Sequence, residues 1–386
     1  MSEHDTDIVI VGGGPVGLYL AGRLLQQGIS CRILEKRSTI NKHSKSLGIH
    51  PVSLELFKKA GIVKPFLKNG LKIKKGIAFW NAEKLGEISF EDCPPPFRFI
   101  LALPQWKTEK ILERWVKKLD RNALIRGTEV SDISQSDDSV KLNFNVNEKV
   151  QSIQSRFTVG CDGKNSVVRK SSGIKFIGEA YPDCYIMGDF DDTTQFGYDA
   201  AVYLHSDGLI ESFPLPNAQR RWVVKTDRYI DKPTPQMIAA LVHERIQHIL
   251  YGTKNFMISS FGVQQFSAEK YHAQNVLLAG DSAHVVSPIG GQGMNLGWLD
   301  AEEAVGILLR ALQEPSEKNK LFKKYSKHRK KIAKQVAKRA EINMHLGRKE
   351  TSTFLYKMML RAALKTRINN YLAQIFTMRG LGKWWI

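Results

Sequence analysis

The sequence predicts an α/β fold: a doubly wound, Rossmann-type nucleotide-binding domain, an inserted and mostly antiparallel β-sheet domain, and helices at the C-terminal end. Three observations predict it. The chain opens with strand, glycine turn, helix and strand; two later strands run into glycine- and aspartate-rich loops; and the middle holds short alternating runs broken by Gly and Pro. With 386 residues, 42% of them hydrophobic, the chain is long enough for about two domains and too apolar to be disordered. Its four cysteines are widely separated with no CxxC, which points to no metal site and no disulfide framework. No run of 18 apolar residues suggests a spanning helix, and the polar N-terminus does not read as a secretory signal, so a cytoplasmic protein is expected.

The first element is the apolar run Asp7–Val11, read as a buried strand. Gly12-Gly-Gly-Pro-Val-Gly17 follows, and Leu18–Leu25 then has helical apolar spacing. Gly12 permits a sharp turn, Gly14 lets a pyrophosphate approach the backbone, and Gly17 lets the helix pack close to the strand. The helix N-terminus offers free N–H groups and positive charge to phosphates. Cys31–Leu34 is the second strand, and Glu35 at its end stands where a carboxylate accepts from ribose hydroxyls. An acid there favours an unphosphorylated ribose, as in FAD or NAD.

Ser155–Val159 reads as a strand entering Gly160-Cys-Asp-Gly-Lys-Asn-Ser166, with Arg169 beyond it. Val276–Ala279 is a third buried-type strand, ending in Gly280-Asp-Ser-Ala-His284. Pro288 and Gly290–Asn295 come next, and Leu296–Leu312 reads as a helix. An aspartate after a strand-ending glycine can take the hydroxyls of a polyol chain. A glycine-rich loop opening a helix aims N–H groups at an electron-rich ring.

With these three segments the chain resembles the class A flavin-dependent aromatic hydroxylases, of which p-hydroxybenzoate hydroxylase is typical. The match lies in GGGPVG at 12–17, CDGKNSVVR at 161–169 and GDSAHVVSPIGGQGMN at 280–295, and the likeness spans about residues 5 to 315. It implies an FAD-dependent monooxygenase that uses NADH or NADPH and O₂ to hydroxylate an aromatic or polycyclic small molecule through a C4a-hydroperoxyflavin. It also implies a cofactor set of Gly12, Gly14, Pro15, Val16, Gly17 and Glu35 at the pyrophosphate and adenosine. Gln105 would lie at the ribityl chain, Val130 at adenine, and Asp162 and Gly163 in a motif shared by FAD and NAD(P)H. Gly280 and Asp281 would lie near the ribityl or phosphate region. Gly291, Gln292, Gly293, Met294 and Asn295 would lie along the isoalloxazine, with Pro288 near the flavin C4a edge. Lys45 replaces an arginine common in the family near the pyrophosphate; it keeps the charge and loses the planar fork. No catalytic residue is identified beyond Pro288, and His50 and His284 are given no catalytic role. Alternatives are a related flavoprotein, either a halogenase or a polyprenyl reductase, or a non-catalytic flavin-holding protein.

The resemblance divides the chain into an FAD-binding domain of residues 1–75, 105–175 and 265–317, a substrate domain of 76–104 and 176–264, and a basic helical region of 318–386. Phe190, Phe196, Tyr203, Phe213 and Trp222 are candidates to line a substrate pocket, though ordinary sheet core explains each of them. From Lys318 onward there are 19 Lys and Arg against two acids, Glu341 and Glu350, which accounts for nearly all of the formal +19. Helices packed on the cofactor domain with a solvated basic face explain this region. A peripheral contact with the inner membrane face, anchored by Trp384 and Trp385, is the second reading, and an acidic partner protein the third. No basic-aromatic fold signature accompanies the charge, so nucleic acid is not an expected partner.

Overall fold

The computed structural model describes residues 4–41, 46–146, 149–346, 354–366 and 368–381. Lys45, Trp384 and Trp385 lie outside them. The first sheet is built on five parallel strands in the order Val276–Leu278, Lys149–Gly160, Thr6–Val11, Cys31–Glu35 and Leu124–Arg126. The apolar runs predicted from the sequence form its centre, with Ile8, Val9 and Ile10 fully buried between layers. Lys149–Gly160 is longer than expected because it serves two partners. From Ser155 onward it pairs in parallel with Thr6–Val11, and its first half pairs antiparallel with Val140–Val146. The helices Pro15–Gln26 and Gly293–Gln313 pack on this sheet, and the Trp298 indole N–H donates to the Pro15 carbonyl at 3.0 Å. All three glycine-bearing loops therefore leave the same, C-terminal edge of the parallel strands, where open α/β sheets bind ligands.

The second sheet has eight strands, antiparallel except where Ala200–Leu204 runs alongside Lys75–Trp80. Its registry places Met187, Val223, Glu211, Val202 and Ala78 side by side across five strands. The alternate residues Ile186, Val224, Ile210 and Tyr203 point the other way, onto the helix Pro235–Ile246. Proline usually interrupts a strand, yet Ile210–Leu215 runs through Pro214. Pro214 lies past the start of Ala200–Leu204, so no ladder bond on that side needs its missing N–H.

The basic region forms the helices Lys318–Leu346, Phe354–Lys365 and Ile368–Phe376. Leu321, Phe322, Tyr325, Ile332, Val336 and Ala340 of the first are buried in the main core, and the Tyr325 hydroxyl donates to the Leu278 carbonyl. The other two cross the strand Glu83–Ser89. Leu364 packs over Gly86, where a Cβ would come within 2.8 Å of it, and the Asn369 amide donates to the Glu87 carbonyl. Among the described residues no helix is long and apolar enough to cross a membrane.

Candidate active site

The turn after the first strand is compact because two glycines let backbone meet backbone. Gly12 has φ +106°, and a Cβ there would lie 2.3 Å from the Cys161 carbonyl oxygen; a Cβ on Gly17 would lie 2.0 Å from the Gly12 carbonyl oxygen. Gly14 differs. Nothing stands within 4 Å of its missing Cβ, because it borders open space.

That space is one cavity of about 1110 Å³. Gly12, Gly14, Pro15, Val16, Glu35, Gln105, Val130, Asp162, Gly163, Asp281, Pro288, Gly291, Gly293 and Met294 line it, so fourteen of the residues singled out in the sequence converge there. Gly17, Gly280, Gln292 and Asn295 are not among the residues that line it. Gly17 and Gly280 are packing positions: Gly17 on Gly12, and Gly280 against Val16. The Gln292 side chain is fully buried at the N-terminus of the helix Gly293–Gln313. Asn295 fixes the loop instead. Its carbonyl oxygen accepts from the His50 N–H and the Ser53 hydroxyl, and its amide donates to the Gly48 and Gly291 carbonyls, all at 2.8 or 2.9 Å.

Glu35 accepts from the Gly13 N–H at 2.6 Å through one oxygen, and from the Arg37 backbone and guanidinium through the other. Burial alone would raise its carboxyl; the Arg37 hydrogen bonds and charge outweigh that and hold it below the ordinary carboxylate value. Asp162 caps a short helix, with one oxygen accepting from the Val167 and Val168 N–H groups, while its other oxygen is buried without a partner. Asp281 borders the cavity, and the protein packed around it pushes its carboxyl up despite nearby His284. Behind it, Asp300 accepts from the Gly280 N–H, from Arg329 at 2.6 Å and from His284. Burial disfavours that charge too, but His284 and Arg329 prevail and keep Asp300 low.

The sequence did not reveal several wall residues. His50 meets the Gly290 carbonyl at 3.1 Å through Nε2, and burial lowers its pKa to about 4. Neutral and facing an acceptor, it donates through Nε2 and steadies the loop. Glu109 lies one helical turn beyond Gln105 and accepts its amide at 2.9 Å; that i, i+4 spacing was the signal available. Of the five aromatic candidates only Phe213 lines the cavity. Phe190, Tyr203 and Trp222 are core on the opposite face of the second sheet, and Phe196 packs against them.

An FAD fits these residues. The Gly14 cradle is open where a pyrophosphate would press, and Asp162 has a buried oxygen awaiting a donor. Glu35 and Asp281 border the same space, which exceeds the ordinary range for a small-ligand pocket, up to about 1,000 Å³.

Comparison with known proteins agrees. A family model described as an FAD binding domain matches residues 5–340. An uncharacterized aromatic compound monooxygenase of Bacillus subtilis is 31% identical over 95% of this chain and 74% of its own. The OxyS anhydrotetracycline hydroxylase of Streptomyces rimosus superposes with a TM-score of 0.80 at 27% identity, over 97% of this chain and 76% of that one. A p-nitrophenol 4-monooxygenase of Pseudomonas putida shares the fold along nearly its whole length, with a TM-score of 0.85 at 20% identity over 96% and 97% of the two chains.

Proposed function

Since the chain belongs to the FAD binding domain family and is an FAD-dependent monooxygenase, we propose that it inserts one oxygen atom into a hydroxylated aromatic or polycyclic small molecule, with NADH or NADPH as reductant. One observation carries the substrate class: the cavity that begins at Gly12 and Glu35 continues, without a partition, onto the apolar face of the second sheet and under the C-terminal helices. Its far walls are Ile77, Leu85, Met187, Val202, Phe213 and Val223 from strands, with Leu364 and Phe376 from the helices. Such walls take a planar apolar ring and exclude water from it.

Bound FAD supplies the transfer of reducing equivalents and the activation of O₂. The chain's own residues hold and seal. Gly12, Gly14 and the N-terminus of Pro15–Gln26 receive the pyrophosphate, and Glu35 the adenosine ribose. Val130 borders the adenine, while Asp162, Asp281 and Gln105 take hydroxyls of the ribityl chain. Gly291, Gly293 and Met294 edge the ring system, held by Asn295 and His50, with Pro288 at the reacting edge. We assign cofactor binding to residues 1–75, 105–175 and 265–317, and the substrate walls to 76–104 and 176–264. The long helix Lys318–Leu346 spends its apolar face on the core, which favours packing over membrane contact for the basic region.

The test is isotopic. Purified holoprotein given NADPH or NADH, a panel of phenols and ¹⁸O₂ is expected to yield a product heavier by one labelled oxygen atom. Nicotinamide oxidation that releases only peroxide with every phenol overturns the proposed substrate class.

A further inference from the structure

Glu211 is the one charged member of a row of side chains that crosses the second sheet on its cavity face. Val223 and Val202 stand directly opposite it on the two neighbouring strands, with Met187 and Ala78 beyond them. All five line the cavity. Glu211 is 8% exposed and, among the described residues, has neither hydrogen bond nor ion pair. An unpartnered carboxyl amid valine, methionine and alanine costs stability, so the fold gains nothing from it. The cavity is the direction in which a partner can arrive.

We propose that Glu211 is the catalytic base of this enzyme, accepting the proton of a phenolic hydroxyl on the substrate. This rests on the oxygenase reading above. The step is a proton transfer with no change of oxidation state. The substrate O–H bond breaks and its electron pair stays on the ring oxygen, while the proton bonds to a Glu211 carboxylate oxygen. The negative oxygen donates into the ring and makes its ortho and para carbons more nucleophilic. As the ring regains aromaticity, the carbon that gained oxygen gives up its own proton to solvent, the electron pair of that C–H bond re-enters the ring, and Glu211 returns its proton to the ring oxygen.

The surroundings suit the task. Arg221, diagonal to Glu211 on the neighbouring strand, is held by Asp189 through two bonds of 2.7 and 2.9 Å. Lys225 on the same strand is paired with Asp183 at 3.0 Å. From above, the long helix contributes Arg339, whose guanidinium donates to the Arg379 carbonyl at 3.5 Å. The two last helices contribute Leu360, Ala363, Leu364, Leu372, Ile375 and Phe376, none of which ionises. With no charge close enough to offset it, burial pushes the Glu211 carboxyl up to about 7. A base so poised is ionised in a useful fraction at neutral pH and can hold a proton once it takes one.

The experiment compares holoenzyme with Glu211→Gln and Glu211→Leu on phenol, alkylphenols and 4-nitrophenol, each beside its methyl ether, with turnover followed as labelled oxygen in the product. Flavin absorbance and thermal unfolding check that each variant is folded and loaded; the apolar site makes Glu211→Leu the safe second variant. Wild-type turnover is expected to rise with pH through about 7 and to exclude the methyl ethers. In both variants that rise disappears. Turnover of phenols that stay protonated drops about 100-fold or more, while 4-nitrophenol, already ionised near neutral pH, keeps most of its rate. Equal losses on all phenols, an unchanged pH profile, or efficient turnover of methyl ethers each overturns the proposal. So does a panel in which no phenol is oxygenated; if other aromatic rings are, the oxygenase reading survives alone, and if the protein does not hold FAD, that reading falls as well.

Discussion

The Glu35 carboxylate takes a 2.6 Å hydrogen bond from the Gly13 backbone N–H, tying the end of the second strand to the turn that leaves the first. The bond fixes the turn and aims the acid at the cavity in one step. Glu35→Gln keeps the size, removes the charge, and puts an amide donor or a weaker acceptor against Gly13. Hydrogen bonds to charged groups contribute about 1.5–3 kcal/mol, so FAD affinity should fall about 10- to 100-fold, read by titrating apoprotein with FAD and following flavin fluorescence.

Gly14 and Gly17 should respond to alanine in opposite ways. Gly17→Ala drives a Cβ to 2.0 Å from the Gly12 carbonyl oxygen, and backbone cannot step aside as a side chain can. The variant should be destabilised by about 3 kcal/mol or more with or without FAD, beyond ordinary overpacking. Gly14→Ala meets nothing within 4 Å and has ordinary backbone angles, so the apoprotein should melt near the wild-type temperature. Its methyl group fills the cradle, and flavin retention through gel filtration should be lost.

Glu211 gives stability a pH dependence of known sign. Its carboxyl lies near 7 in the fold against an ordinary 4.5, so between those values the native state keeps a proton that the unfolded chain releases. Stability is therefore full below the lower value and falls as pH rises through the higher one, by about 3 kcal/mol in all. From about pH 5 to about pH 8, the melting temperature of Glu211→Leu should fall less than that of the wild type.

Asp300 is fully buried and is shared by Arg329, His284 and the Gly280 N–H. Asp300→Ala leaves the buried Arg329 guanidinium with only its longer, 3.5 Å pair to Glu303, which should cost about 3 kcal/mol in urea unfolding. Because Gly280 leads directly to Asp281, flavin affinity should weaken as well. By contrast, Glu83→Ala removes half-exposed pairs to Lys357 and Arg361 and should leave the unfolding midpoint close to that of the wild type.

The nucleotide half of the site could be read from the sequence because its chemistry is local. A pyrophosphate turn needs its glycines and acid at set distances from a strand, and Gly12, Gly14, Glu35, Asp162 and Asp281 all reach one cavity. The substrate half could not. Whether Phe213 or Trp222 faces the cavity depends on the registry of strands far apart in sequence, and a shift of one residue reverses every side chain. Glu211 stayed hidden for the same reason: nothing in Ile210-Glu-Ser-Phe tells which face of the sheet borders a cavity. Gln292 and Asn295 show the converse, since a motif marks residues that shape a loop as readily as residues that touch what it binds.

Leu360, Leu364, Ile375 and Phe376 roof a chamber whose floor is laid by residues near position 80 and between 187 and 223. During synthesis the floor and all three glycine-rich loops leave the ribosome before the roof, since the last of the loops ends at Asn295 and the roof begins at Leu360. A nascent or prematurely stopped chain would thus hold the nucleotide cradle complete and the aromatic chamber unroofed. Translation order itself keeps the closed, water-free chamber back until the C-terminal helices have emerged and docked.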